Sequence, residues 1–357
     1  MINDPFLQRL SKRPLLSDGA MGTMLHGRGV DFEQCFDELN KTDPNLIVDI
    51  HSAYVLAGAD ILQTNTFGAN RFKLARHGLE DRVASINQAG VELARRAIAS
   101  AHVTRPVLVA GDIGPLGVRI APYGRVQPDQ AYQAFVEQIK ALATAGVDLL
   151  MIETISDLYE ILNAIQAAKK VRSDLNIHLP ICASMTFTRD DRTIMGDSPA
   201  KVARSMAEAG ADVIGVNCSG GPAQLLRLLK AMRQAVPESF ISVQPNAGWP
   251  EQAGGRIMYP ADPEYFGNYA LAFCEAGASI VGGCCGTTPQ HIKAMRLALD
   301  ENPQGCGSLE NVLALPDEAG DLPETQMETS RLSQKLSSGK FCITVEMDPP
   351  RGISTHK

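Results

Sequence analysis

The sequence predicts an α/β fold, a (β/α)8 barrel of the TIM type with parallel strands, and three observations lead there. Short apolar, β-rich runs alternate with stretches of helical periodicity. The runs are nearly continuous in apolar residues rather than alternating. A four-residue pattern, Ala-Gly-x-Asp or Ala-Gly-x-Ser, recurs before every second run. Near-continuous runs suit strands buried on both faces, as in parallel sheets. Eight βα units within about 300 residues point to a closed barrel.

The runs are Leu15–Asp18, Asp60–Thr66, Val107–Asp112, Asp148–Thr154, Ile181–Phe187, Asp212–Cys218, Phe240–Asn246 and Ser279–Cys285. The recurring pattern is Ala57-Gly58-Ala59-Asp60, Ala145-Gly146-Val147-Asp148, Ala209-Gly210-Ala211-Asp212 and Ala276-Gly277-Ala278-Ser279, before the second, fourth, sixth and eighth runs. Its glycine falls where a helix must end with positive φ so that the chain turns directly into a strand. Pro44–Ala57 shows a helix of this series: Asp43 can cap it, Pro44 suits its first turn, and Leu46, Ile47, Ile50, Tyr54 and Ala57 share a face.

This barrel is expected to occupy residues 1–300. Residues 301–338 carry scattered Pro, Gly, Ser and acidic residues with little periodicity, and read as a linker. Lys340–Glu346 is strand-like and precedes Pro349-Pro350-Arg351-Gly352, so residues 339–357 read as the truncated start of a second domain.

With 45% hydrophobic and 20% charged residues, the 357-residue chain can bury a large core. A net charge of −7 without a dense Lys/Arg block argues against nucleic acid or an anionic membrane, and favours a small-molecule partner. No apolar stretch approaches the roughly 20 residues needed to cross a bilayer, and no secretory signal is visible. A cytoplasmic location is expected, where cysteines serve as thiols or metal ligands rather than as a disulfide framework.

Function in such a barrel gathers at the C-terminal ends of the strands. Those ends hold Asp18-Gly19, Gln63–Thr66, Gly111-Asp112, Glu153-Thr154, Asn217-Cys218, Gln244–Asn246 and Gly283-Cys284-Cys285-Gly286. Cys218, Cys284 and Cys285 therefore converge on one rim. Zinc takes soft thiolates, and a catalytic site leaves one position open. Coordination strips the proton from a bound thiol, which makes it a nucleophile without oxidising it. Three buried core thiols, or a redox-active Cys284–Cys285 disulfide, are the competing readings. A non-catalytic module that binds a thiol amino acid is a further one.

Asp18 and Glu153 flank this rim. A carboxylate there needs a partner, and an amino-acid ammonium group would serve, with backbone N–H groups of Gly19 and Ala20 beside its carboxylate. The plain alternative is structural hydrogen bonding, Asp18 to its own turn and Glu153 to a neighbouring strand end. Cys35, Cys182, Cys274, Cys306 and Cys342 are scattered singly and read as filler. His51 and His291 suggest solvent-facing or capping roles. Phosphate-loop, nucleophile-elbow and HExxH patterns are missing from the sequence.

The segments Asp18-Gly19-Ala20-Met21-Gly22-Thr23, Gln63-Thr64-Asn65-Thr66-Phe67, Gly215-Val216-Asn217-Cys218 and Gly282-Gly283-Cys284-Cys285-Gly286-Thr287 resemble the homocysteine S-methyltransferase family over roughly residues 5–300. The resemblance implies Zn2+ on Cys218, Cys284 and Cys285, with Asn246 as a fourth, substrate-displaced ligand. It also implies that Asp18 and Glu153 hold the amino group of L-homocysteine. Phe341–Gly352 resembles the opening of methylenetetrahydrofolate reductase. The chain thus looks like the N-terminal part of a bifunctional homocysteine S-methyltransferase/methylenetetrahydrofolate reductase. FAD would then belong only to the missing reductase domain, carried in cis, where Glu346 matches an acid at the flavin site. The methyl donor stays open among methyltetrahydrofolate, methylcobalamin, S-methylmethionine, S-adenosylmethionine and betaine.

Overall fold

A computed structural model describes residues 4–249, 251–253 and 256–302, with the isolated positions 335, 338, 339 and 341. The chain divides into two compact units, residues 1–315 and 316–357. Most of the expected linker and second-domain start, with Cys306, Cys342 and Glu346, falls outside the described residues, which include six positions of that region: 301, 302, 335, 338, 339 and 341.

All eight expected runs contain strands. They are β1 (Leu15–Leu16), β2 (Ile61–Gln63), β3 (Leu108–Ile113), β4 (Leu149–Ile155), β5 (Ile181–Met185), β6 (Val213–Asn217), β7 (Phe240–Gln244) and β10 (Ile280–Val281). The sheet order is β1-β10-β7-β6-β5-β4-β3-β2, every pair is parallel, and a parallel bridge between Ser17 and Ile61 joins its two ends. The (β/α)8 barrel is therefore closed. The antiparallel pair β8 (Glu251–Ala253) and β9 (Arg256–Met258), which the periodicity does not reveal, is inserted after β7. No helix among the described residues is long and apolar enough to cross a membrane.

Two apolar layers hold the barrel. Leu15, Ile61, Ala110, Leu149, Met151, Cys182, Val213 and Ile280 pack together, joined by Phe6 and Leu10 of the helix Pro5–Leu10. The larger cluster lies between the sheet and the surrounding helices. Cys182 is thus a filler thiol, as expected.

The recurring tetrapeptide acquires a mechanism here. Gly58, Gly146, Gly210 and Gly277 all have φ between 87° and 111°, which ends the preceding helix. The residue two positions later then closes a two-bond ring onto the preceding strand. Asp60 N–H donates to Leu16 O at 2.6 Å, while Leu16 N–H donates to the Asp60 carboxylate at 3.1 Å. Asp148 does the same with Val109 (2.8 and 2.6 Å), Asp212 with Ile181 (2.9 and 2.9 Å), and Ser279 with Ile241 (2.7 and 3.4 Å). Each even member of the barrel is so locked to the odd one before it. The three aspartates also bind arginines: Asp60 takes Arg13 and Arg296, Asp148 takes Arg95, and Asp212 takes Arg172.

His51 corrects the solvent-facing expectation. It is fully buried on the helix Pro44–Ala57, and neither ring nitrogen has a hydrogen-bond partner. Four residues beyond Ile47 and three before Tyr54, it shares their inward face. Burial pulls its imidazole down to about 3 from 6.5.

Two tests follow from these features. Asp60 is the most enclosed of the ring-forming acids, and its loss leaves the largely buried Arg296 guanidinium with only the exposed Asp300 carboxylate. Asp60→Ala is expected to cost about 3–5 kcal/mol and Ser279→Ala about 1 kcal/mol, read from urea unfolding midpoints; equal costs would refute the ranking. His51 has a depressed folded pKa, so the unfolded chain binds its proton first. Stability is then lost as pH falls from about 6.5 towards about 3, by up to about 1.4 kcal/mol per pH unit. His51→Leu should lessen that slope against the wild type in the same buffers.

Candidate active site

The C-terminal ends of the strands enclose a cavity of about 450 Å³. Asp18, Glu153, Cys218, Cys284 and Cys285 all line it, so the structure brings the sequence-predicted residues of β1, β4, β6 and β10 together. Gly19 and Ala20 line it as well.

The three sulfurs lie within 4.8 Å of one another, and those of Cys218 and Cys285 are 3.8 Å apart. Thiolates about 2.3 Å from a tetrahedral zinc would stand about 3.8 Å from each other, so the spacing fits that ion. All three cysteines are free and only partly buried, facing the cavity rather than the core. The core-thiol reading is therefore set aside. Hydrogen bonds from the Cys218 and Cys284 thiols, with a further one from the Tyr259 hydroxyl, pull Cys285 down to about 3.

Local backbone delivers these atoms. Cys218 adopts φ +58° immediately after β6, and its N–H donates to Gln244 O at 3.1 Å. Cys284 N–H donates to Pro245 O at 2.7 Å, and Ala247 N–H to Cys285 O at 2.9 Å, so the turn after β7 fixes the doublet. Asn246 lies in that turn. Its Nδ2 donates to Cys218 O, while its Oδ1 is buried and has no donor. Asn246 is not among the residues that line the cavity.

Glu153 owes its position to a register shift of β4 against β5 between Ile152 and Ile155. Such irregularities re-aim side chains beside active sites. Its Oε2 accepts from Asn217 Nδ2 at 2.8 Å. Burial first, then the charges of Cys285 and Asp18, push its carboxyl up to about 8. Asp18 accepts from Gln63 N–H at 2.9 Å and Gln63 Nε2 at 3.1 Å, and burial outweighs these bonds to push it to about 7. Ala20 N–H is committed to Thr287 Oγ1 at 3.1 Å, and the Ala20 carbonyl accepts from Tyr54 Oη at 2.7 Å. The backbone after Asp18 is therefore held by Thr287 and Tyr54 rather than wholly free for a ligand.

The structure adds residues to which the sequence reading gave no role. Asp112, at the C-terminal end of β3, is buried on the cavity wall, and its Oδ1 has no partner. Burial, then Glu153, Asp18 and Asp37, hold its carboxyl well above the usual range. Its place at a strand end was the available signal. Asn217 bonds both Glu153 and Thr154. Lys73 reaches the cavity with its ammonium 4.1 Å from the Phe67 ring centre; no spacing pointed to it. Cys35 lines the cavity too, and burial pushes its thiol up to about 11. His291 is a capping residue as expected: it completes the box with Thr288, and its Nε2 meets Ala261 O at 3.0 Å.

The sequence profile of the family described as homocysteine S-methyltransferase matches residues 15–299. Two curated relatives are named methionine synthase. The one from Mycobacterium leprae (strain TN) is 32% identical over 305 residues, and that from Mycobacterium tuberculosis (strain ATCC 25618 / H37Rv) 33% over 303. Each alignment takes 82% of this chain and 25% of the relative, so the chain spans about a quarter of the length of the curated relatives it matches. Among solved structures, the homocysteine methyltransferase MmuM from Escherichia coli in its metallated form aligns with a TM-score of 0.68 at 25% identity, covering 82% of this chain and 99% of that one. A methyltransferase from Methanosarcina mazei, at TM-score 0.54 and 12% identity over 83% of this chain and 97% of that one, shares the fold. From its profile match and its barrel, this chain belongs to the homocysteine S-methyltransferase family.

Proposed function

We propose that the chain transfers a methyl group to the sulfur of L-homocysteine, forming methionine, with zinc held by Cys218, Cys284 and Cys285. The observation that carries this reading is the trio of sulfurs at zinc-compatible spacing, opening on a cavity that also holds Asp18 and Glu153. The names of the relatives, methionine synthase and homocysteine methyltransferase, support the same acceptor.

When bound, zinc supplies the positive charge that keeps a thiol deprotonated at neutral pH. Asn246 would be the fourth protein ligand, which would give its unpaired Oδ1 a partner. Glu153 and Asp18 receive the ammonium group; a cation restores the ionised form that burial disfavours in both. The amino acid is thereby tethered at its head while its sulfur faces the donor. The sulfur–carbon bond forms as the bond from the methyl carbon to the donor atom breaks on the opposite side. Holding both partners in line supplies most of the rate, without acid–base catalysis by the chain.

Around this site we propose a barrel over residues 1–300, a linker over 301–338 and, from 339, the start of a reductase-like domain that would carry FAD in a longer protein. A cytoplasmic setting and a small-molecule methyl donor complete the reading.

Metal analysis of the purified chain is expected to give about one zinc, lost or greatly reduced in Cys218→Ala. Full zinc occupancy in that variant would sink the ligand assignment. In Glu153→Ala the homocysteine needed for half-maximal rate should rise at least tenfold while zinc content holds; an unchanged titration removes Glu153 from the substrate site. Methionine formation with each donor in a panel tests the activity itself, and failure with every donor leaves a thiol-binding module.

A further inference from the structure

Asn217 is completely buried at the end of β6, between the two halves of the proposed site. Its Oδ1 accepts from Thr154 N–H at 2.9 Å. Its Nδ2 faces three acceptors: Thr154 Oγ1 at 2.7 Å, Glu153 Oε2 at 2.8 Å and Cys284 Sγ at 3.9 Å. An amide nitrogen carries two hydrogens. With the two oxygens at short range, the sulfur is the acceptor that goes underserved. The bridge also joins two turns with unfavourable backbone, Thr154 at φ +57° and Cys218 at φ +58°. Asn217 thus touches the proposed amino-acid subsite, the Cys284 sulfur and both turns that present them.

We infer that Asn217 is a positioning residue that couples the amino-acid subsite to the sulfur cluster. An ammonium group on Glu153 competes for its carboxylate and releases an Asn217 N–H towards the Cys284 sulfur. A hydrogen bond to a ligand thiolate draws electron density from it. The centre then more readily accepts one more thiolate, so binding of the substrate's head prepares the metal for its sulfur. This inference rests on the zinc-site reading proposed above.

The test uses the full chain loaded with cobalt(II), whose thiolate-to-metal absorption reports on the sulfurs. The probe is L-2-aminobutyrate, which has the ammonium and carboxylate of the substrate but no thiol, and calorimetry checks that it binds. The wild-type band is expected to shift on addition of the probe. Asn217→Asp keeps the shape of the side chain without the N–H; its band should not respond, and its metal affinity should fall about 10–100-fold. Glu153→Gln keeps Asn217 but weakens the competing acceptor, so its band should already be displaced in the direction the probe produces in the wild type. A wild-type band that stays fixed while calorimetry shows the probe bound overturns the coupling, and so does an Asn217→Asp band that moves as the wild type does. Should Asn217→Asp not fold, Glu153→Gln decides, and an undisplaced band there overturns it. A wild-type chain that takes up no cobalt refutes the metal site itself, a distinct result.

Discussion

Cys218, Cys284 and Cys285 hold their sulfurs within 4.8 Å of one another at the half-buried wall of the cavity, and this crowding sets terms for the C-terminal face of the barrel. Three thiolates so close would repel strongly at low dielectric. The protein answers with hydrogen bonds that concentrate one charge on Cys285, and with turns rigid enough to resist relaxation. Cys218 and Thr154 accept left-handed backbone at a cost of about 1–3 kcal/mol each. The Asn217 side chain and the turn after β7 hold those conformations in place. Strain at these positions is the local cost of bringing sulfurs from β6 and β10 to one point.

The opposite end of the barrel is built on a repeated hydrogen-bonded unit instead. There Asp60, Asp148, Asp212 and Ser279 repeat one two-bond ring, each locking an even member to the odd strand before it. Function at one face and stability at the other is the usual division in this fold. Here it can be assigned to particular atoms. The antiparallel pair β8 and β9 follows β7 on the functional side of this rigid base.

Much of the fold was legible because parallel strands buried on both faces leave an unmistakable apolar run, and because the Ala-Gly-x-Asp pattern recurs. The pattern was visible as a helix stop; its second task, pairing with the previous strand, depends on contacts roughly 30 to 45 residues away, and no local periodicity records them. The cysteines were legible since strand ends gather on one rim. Asn217 and Asp112 stood at those same ends. Their roles depend on a β4 irregularity and on partners brought by closure of the barrel, so their side chains could be placed but not paired. His51 misled for another reason. A polar residue in an amphipathic helix is usually outside, yet its spacing from Ile47 and Tyr54 put it on the inner face.

Electrostatics also bears on which thiol the proposed site would accept. Asp18, Asp37, Asp112 and Glu153 all have carboxyl groups raised by burial, and Lys73 is the nearby cation that eases three of them. Lys73 itself is pushed down by burial. A ligand that carries an ammonium group relieves a cost the folded chain already bears, whereas a plain thiol of equal size leaves it standing. A zinc ion on the sulfur cluster would bind either ligand by the same chemistry. On the proposed reading, discrimination in favour of an amino-acid thiol would lie with the acids, above all with Glu153, whose hydrogen-bond partner Asn217 also reaches the sulfur of Cys284.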